Sequence, residues 1–377
     1  MTPEEILRLL VAVPTPSAMS NVPLLDWVSL FLEEHRWSCR LLRYAGPEGV
    51  AKANLIARPR GIGADETIGL AFVCHTDTVP FAAEWVDALA LRRSPDSVTL
   101  HGCGACDVKG SLACFLAALS GIGLQSVRPD AALILTADEE IGCKGMEQLL
   151  ASTHLRICSA IVSEPTSLRA GVAGKGYGLA RVTIEGAEAH SAFPSIGVSA
   201  IQHAARFLYR LEGQIDAIAG SIDMLFDPPR TTVNVGVIEG GTAKNVVAGV
   251  CTFLVEWRPI PGDDPSAMPA MLEQIADAVR MEEPRVRIRV EALRAEAGFA
   301  PKSAGALQAK LTEILGPRRA PMGISFGSEA SRLARVADEV IVIGPGDMQT
   351  AHSAGECVPM AELEEWTHTL RVLLASN

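Results

Sequence analysis

Four apolar stretches of this chain each end on residues that can bind a metal ion or carry a proton. Residues 68–74 (IGLAFVC) run into His75-Thr76-Asp77, 131–136 (AALILT) into Asp138-Glu139-Glu140, and 159–162 (SAIV) into Glu164-Pro165. Residues 340–343 (VIVI) open the loop GPGDMQTAHSAGE, which carries His352. Imidazole nitrogen and carboxylate oxygen are the ligand set of hydrolytic zinc sites. Taken singly, such a histidine is an ordinary hydrogen-bonded core residue and a Glu-Glu pair is ordinary solvated surface. Their shared placement at strand ends is what points to a metal centre, because charges driven onto a sheet terminus are costly unless paired or metal-bound.

The elements that deliver these residues follow from the same pattern. Short continuous apolar runs predict strands buried on both faces, as in a parallel sheet covered by helices. Open sheets of that kind hold ligands in the crevice beyond the carboxyl ends of the strands. Helical spacing predicts helices over 3–12, 22–34 and 146–152, and an apolar helix over 110–119 (GSLACFLAAL) packed on the sheet; 54–58 reads as a short strand. Asp107 precedes the apolar helix, so that helix directs its positive end at the same crevice.

From about Gly178 the pattern changes. Residues 179–185 (LARVTIE), 231–238 (TTVNVGVI), 250–257 (VCTFLVEW) and 285–291 (RVRIRVE) read as strands, with helices within 195–217 and over 265–281. That order is βαββαβ, the split ferredoxin-like arrangement. After GFAP (298–301) the helix–strand alternation resumes and supplies His352. The expected fold is therefore α/β: a catalytic domain with a mostly parallel central sheet flanked by helices, interrupted by an inserted α+β lid. The expected segments are 1–177 and 293–377 for the catalytic domain and 178–292 for the lid.

Composition sets outer bounds. A length of 377 residues predicts two domains, and 48% hydrophobic with 20% charged residues is the balance of a soluble globular protein. A formal charge of −11 argues against nucleic acid and anionic membrane as partners, since both require basic patches. The acidic, amphipathic start MTPEEILRLLVAVPTPS lacks the basic region of a signal peptide, so a cytoplasmic location is expected. Nine cysteines suit reduced thiols better than a disulfide framework. Cys103-Gly-Ala-Cys106 has CxxC spacing without a second pair, which fits small residues in a tight loop better than a redox or structural zinc site.

Eight motifs occur in order over most of the chain: HTDTVP (75–80), GCGACDVKG (102–110), TADEE (136–140), SEPT (163–166), AHSAFPSIGVSAI (189–201), GGTAKNVV (240–247), EWR (256–258) and GPGDMQTAHSAGE (344–356). With them the chain resembles the M20 family of zinc metallopeptidases and deacylases. The resemblance implies two Zn²⁺ ions, with Co²⁺ able to substitute. His75 and Glu164 would hold one, Glu140 and His352 the other, and Asp107 would bridge both. Glu139 would be the general base that later protonates the leaving amine. Asp77 would hold the other N–H of His75 and fix its tautomer. His190 would enter the active site from the partner subunit of a dimer and polarise the scissile carbonyl. Asn245 and Arg258 would bind substrate, Arg258 by gripping an α-carboxylate.

Glu329, in GISFGSEAS (323–331), would lie near the substrate side chain and favour an ammonium group. The ordinary alternatives are a turn histidine at 190, a surface ion pair at 258 and a helix-capping glutamate at 329. Two positions depart from the family pattern: Cys103 stands where a larger residue, often Arg, is usual, and Cys106 where a small one is common. Neither is a ligand in that pattern. The implied reaction is hydrolysis of a small N-acyl amino acid by a homodimer joined through its lid. The leading substrate is N²-acetyl-L-ornithine, cleaved to ornithine and acetate in arginine biosynthesis. The alternatives within the family are succinyl-diaminopimelate, acetylcitrulline, acetyl-lysine or a glutamate carboxypeptidase substrate. A non-catalytic protein that binds an amino-acid derivative is the alternative of a different class.

Overall fold

The computed structural model describes residues 1–63, 67–123, 126–218, 221–301, 305–317 and 319–375. The chain forms two compact units, one of Met1–Val172, Pro301–Met322 and Ser328–Asn377, the other of Ala173–Ala300 with Gly323–Gly327. It therefore leaves the first unit earlier, and returns later, than the boundaries at 177/178 and 292/293. A brief second excursion at 323–327 has no signature in the sequence.

An eight-stranded sheet is built on the first unit, in the order Trp37–Ala45, Ala51–Pro59, Ala131–Thr136, Ile68–His75, Ile157–Val162, Ala337–Val342, Gly171–Gly174, Met322–Ile324. The four strands from Ala131–Thr136 to Ala337–Val342 run parallel. Ala51–Pro59 is antiparallel to both its neighbours, and Gly171–Gly174 is antiparallel to Ala337–Val342. The sheet is thus mixed, with its parallel strands at the centre. Every residue of Ala131–Thr136 is buried, the condition that makes an uninterrupted apolar run the right sequence for a central strand. Register aligns the strand ends: His75 lies opposite Thr136, Val73 opposite Val162, and Val162 opposite Val342. The carboxyl ends are level, so the loops after them share one edge.

Trp37–Ala45 was not expected as a strand. Its residues WSCRLLRYA lack clean alternation because it is an edge strand, half exposed along most of its length. The helix Lys109–Ser120 is apolar all round because it is covered on all sides, with every residue from Lys109 to Leu119 buried. It packs between the helices Pro3–Val11 and Met360–Leu374. A small sheet pairs Cys357–Pro359 with Thr99–His101, which brings the end of the His352 loop against the segment leading to Asp107.

The second unit has the order strand Tyr177–Glu185, helix Ala200–Ile218, strands Thr232–Gly240 and Val250–Arg258, helix Ala267–Glu282, strand Arg287–Glu296. Numbered along the chain, its strands lie 2-3-1-4 and pair antiparallel, which is the ferredoxin-like arrangement. Alternate residues Ala180, Val182 and Ile184 face a core with Phe207, Phe253, Trp257 and Leu272. Gly178 is required there: a Cβ would fall 1.8 Å from Cε2 of Trp257. Among the described residues no helix is long and apolar enough to cross a membrane.

Candidate metal centre

His75 ends its strand, and its ring is 2% exposed. Nδ1 lies 2.9 Å from the backbone oxygen of Asp77. A carbonyl only accepts, so Nδ1 carries the proton and Nε2 faces outward, 3.0 Å from Oδ1 of Asp107. The other oxygen of Asp107 lies 3.1 Å from Nε2 of His352, which is itself 3.2 Å from Oε1 of Glu140. Asp107 therefore spans two imidazoles, one on each oxygen. An imidazole lone pair against a carboxylate is tolerable only with positive charge between them, from a second proton or from a cation.

The groupings have the geometry of ligand sets. Ligand atoms of His75, Asp107 and Glu164 all lie within 4.8 Å of one another, as do those of Asp107, Glu140 and His352. His75, Glu139 and Glu140 form a third such set, so proximity alone does not separate Glu139 from the ligands. The electrostatics show excess negative charge. Burial pushes Glu139 up to about 8, with His75 opposing and Glu140 adding. Burial, then Asp107 and Glu139, hold Glu164 well above the usual carboxylate range. Hydrogen bonds to Asp107 and Glu140 raise His352 to about 10. Burial disfavours a charged His75, yet Asp107 holds it well above its ordinary value. Several carboxylates around two imidazoles form a donor set that divalent cations neutralise, and the residues present fit such ions.

The supporting residues differ from expectation at Asp77. Its backbone carbonyl, not its carboxylate, takes the His75 N–H; Oδ1 stays 3.8 Å from Nδ1. The strand stops at His75, and the turn after it presents a carbonyl to the ring. The carboxylate accepts instead from the Ser17 hydroxyl at 2.7 Å, Glu139 N at 3.0 Å and Glu140 N at 3.3 Å. It clamps the turn that carries the Glu-Glu pair. Asp138, in the same turn, takes the left-handed φ of +57°. Its carboxylate is fixed by the fully buried Lys52 at 2.8 Å and the Tyr44 hydroxyl at 2.9 Å. The Cys143 thiol donates to Oε1 of Glu139 at 3.3 Å.

Glu356, also buried, accepts backbone N–H groups from the loop that carries Asp107. Sequence reading missed Ser17, Lys52 and Glu356. Of these only Glu356 carried a signal, as the last residue of the motif that supplies His352. All nine cysteines are free, and both thiols of the CxxC loop are buried.

Glu329 is placed in the interior, 1% exposed, with neither carboxylate oxygen hydrogen-bonded and no side-chain cap on the helix it precedes. Burial raises it to about 7. His75 and Asp77 act on its charge and it acts on that of Glu139, so its carboxylate lies beside the metal centre and does not cap the helix.

His190, Asn245 and Arg258 belong to the second unit. His190 is exposed and its Nδ1 accepts from Ala192 N at 3.1 Å, so its proton sits on Nε2. Ser191 N bonds Asn245 O at 3.0 Å, which places these two residues on adjoining segments. Arg258 stacks over Tyr177, 4.4 Å from guanidinium carbon to ring centroid, and bonds Glu256 through Nε at 2.9 Å.

The model of peptidase family M20/M25/M40 matches residues 71–376. An acetylornithine deacetylase of Myxococcus xanthus is 41% identical over 358 residues, covering 95% of this chain and 92% of that protein. Among solved structures, a tripeptidase from Staphylococcus aureus superposes with a TM-score of 0.79 at 20% identity, over 99% of this chain and 96% of that one. A dinuclear metal binding peptidase of the M20 family from Bacillus subtilis has a TM-score of 0.67 at 13% identity, over 99% and 97%. At these identities the structural likenesses establish the fold. The sequence matches go further: the chain belongs to peptidase family M20/M25/M40.

Proposed function

We propose that this protein removes the acetyl group from N²-acetyl-L-ornithine, releasing ornithine and acetate. Membership of the family makes it a metal-dependent hydrolase of amide bonds. The observation that carries the two-metal reading is Asp107, with an imidazole at each carboxylate oxygen and Glu139 beside them. Two Zn²⁺ ions, replaceable by Co²⁺, would be held by His75 and Glu164, by Glu140 and His352, and by Asp107 shared between them. Bound there, they supply Lewis acidity to the scissile carbonyl and acidify a water.

The protein's own groups do the rest. Glu139, steadied by the Cys143 thiol and by the Asp77 clamp on its amide, takes the proton of the attacking water and delivers it to the leaving amine. His190 carries its proton on Nε2, the tautomer that donates to a developing oxyanion. Arg258, half-buried on Tyr177, offers a preorganised guanidinium to the substrate carboxylate, and Asn245, on the segment adjoining His190, offers a further polar contact to substrate. Glu329, buried beside His75 and Glu139, would lie near the substrate side chain.

The same reading includes a cytoplasmic enzyme of arginine biosynthesis that dimerises through its lid. Supporting the dimer, Thr232–Gly240 is an edge strand with Val237 and Ile238 exposed at 47% and 52%. The choice of acetylornithine rests on the relative from Myxococcus xanthus. A panel of N-acyl amino acids with Zn²⁺ or Co²⁺ added, read by amine release, tests it. Acetylornithine is expected to give the highest kcat/KM; preference for acetylcitrulline or succinyl-diaminopimelate would overturn the substrate and leave the hydrolase standing.

A further inference from the structure

The backbone N–H groups of the loop leading to Asp107 can be accounted for one by one. Cys103 N donates to Ala88 O, and Ala105 N to Gly102 O. The remaining three share one acceptor. Gly104 N donates to Oε2 of Glu356 at 3.1 Å, while Cys106 N and Asp107 N donate to Oε1 at 2.9 and 3.1 Å. Gly104 adopts a φ of +76°, and the three donors form a concave nest that suits an anion. The carboxylate in the nest is 2% exposed, and both its oxygens are occupied by amides. It is therefore neither a ligand nor a base.

What it connects is more informative. Glu356 closes the loop that carries His352, and the strand Cys357–Pro359 immediately after it pairs with Thr99–His101. The Asp107 loop and the His352 loop are thus fastened twice, by strand pairing and by the carboxylate. One of the three bonds is to the amide of Asp107 itself, which sets the backbone from which its side chain reaches His75 and His352.

We propose that Glu356 is the positioning residue of the metal centre, locking the Asp107 loop to the His352 loop so that one carboxylate serves both imidazoles. The inference rests on the metal-centre reading of the proposed function. Its test uses the full chain, stripped of metal, with Zn²⁺ titrated against a chromophoric chelator and thermal melts run on the metal-free proteins. In Glu356→Gln the side chain keeps its size and can still accept from Cys106 and Asp107, but its NH₂ then opposes Gly104 N–H. That variant is expected to fold and to bind Zn²⁺ about 10–100-fold more weakly, the usual loss when a group that orients a ligand is removed. Glu356→Ala, which orphans all three amides, should bind more weakly still. A purely structural role predicts the opposite split: a lower melting temperature with zinc affinity unchanged in the folded variant. That outcome overturns the proposal, and if Glu356→Ala does not fold, the Gln variant decides. Wild-type protein that takes up no Zn²⁺ would instead sink the metal-centre reading, and this inference with it.

Discussion

Asp77→Asn separates two roles that the sequence alone would confuse. Its Oδ1 accepts Glu139 N at 3.0 Å, and Oδ2 accepts Ser17 Oγ at 2.7 Å and Glu140 N at 3.3 Å. Asparagine offers one acceptor oxygen. Its best placement keeps that oxygen on Glu139 N and lets the Ser17 hydroxyl rotate to accept, which leaves Glu140 N–H facing another donor. A charge-assisted hydrogen bond is worth about 1.5–3 kcal/mol, and a neutral replacement roughly half as much. The clamp should weaken by about 2 kcal/mol, and at about 1.4 kcal/mol per decade kcat/KM for acetylornithine should fall ~10–100-fold. Most of the loss should appear in kcat, because the displaced turn carries Glu139. Metal on the His75 side should hold, since the His75 N–H bonds the Asp77 backbone, which the substitution leaves in place, while metal on the Glu140 side, carried by the same turn, should bind more weakly and be filled at saturating metal. The assay is ornithine release at saturating metal, with elemental analysis alongside. Wild-type kcat/KM in Asp77→Asn would refute the clamp, and metal loss as severe as in His75→Ala would return the carboxylate to the support of His75.

Glu139→Gln should lower kcat by about 10²–10⁴-fold with KM and metal content little changed; loss of a metal ion instead would make Glu139 a ligand. His190→Ala should cost roughly 10²–10³-fold in kcat without altering metal stoichiometry, and a change confined to KM would remove it as oxyanion donor. Glu329 has a folded pKa raised from 4.5 to about 7, so the metal-free protein binds the extra proton and loses stability as pH rises through that window. Glu329→Gln should therefore stabilise the metal-free protein at pH 8 more than at pH 5, by about 2–3 kcal/mol of unfolding free energy. An equal effect at both pH values would contradict its burial as a charged group.

The fold was legible where burial acts on both faces of an element. The run AALILT could be only a central strand or a buried helix, and its length decided for the strand. The alternation in LARVTIE fixed which face of Tyr177–Glu185 met the core. Trp37–Ala45 escaped because an edge strand has one neighbour and half-exposed positions, so no period is imposed on its side chains. His75, Glu139, Glu140, Glu164 and His352 were legible because each lies at or beyond the end of a central strand, and level strand ends bring such residues together; Asp107 was legible from its place ahead of the apolar helix. Their supports were not. Lys52 meets Asp138, and Glu356 meets Gly104, across long stretches of chain, and nothing local to a lysine or glutamate announces a buried partner. The burial of Glu329 was not legible for a related reason: nothing local to a glutamate in a glycine-rich loop announces that the fold encloses it.

The most direct test of the di-metal hydrolase is to titrate Zn²⁺ into metal-free protein while following both bound metal and ornithine release from N²-acetylornithine. The di-metal mechanism predicts no turnover without metal, activity that rises with occupancy, and saturation at two ions per chain. Full turnover by protein shown by elemental analysis to carry no metal would contradict it.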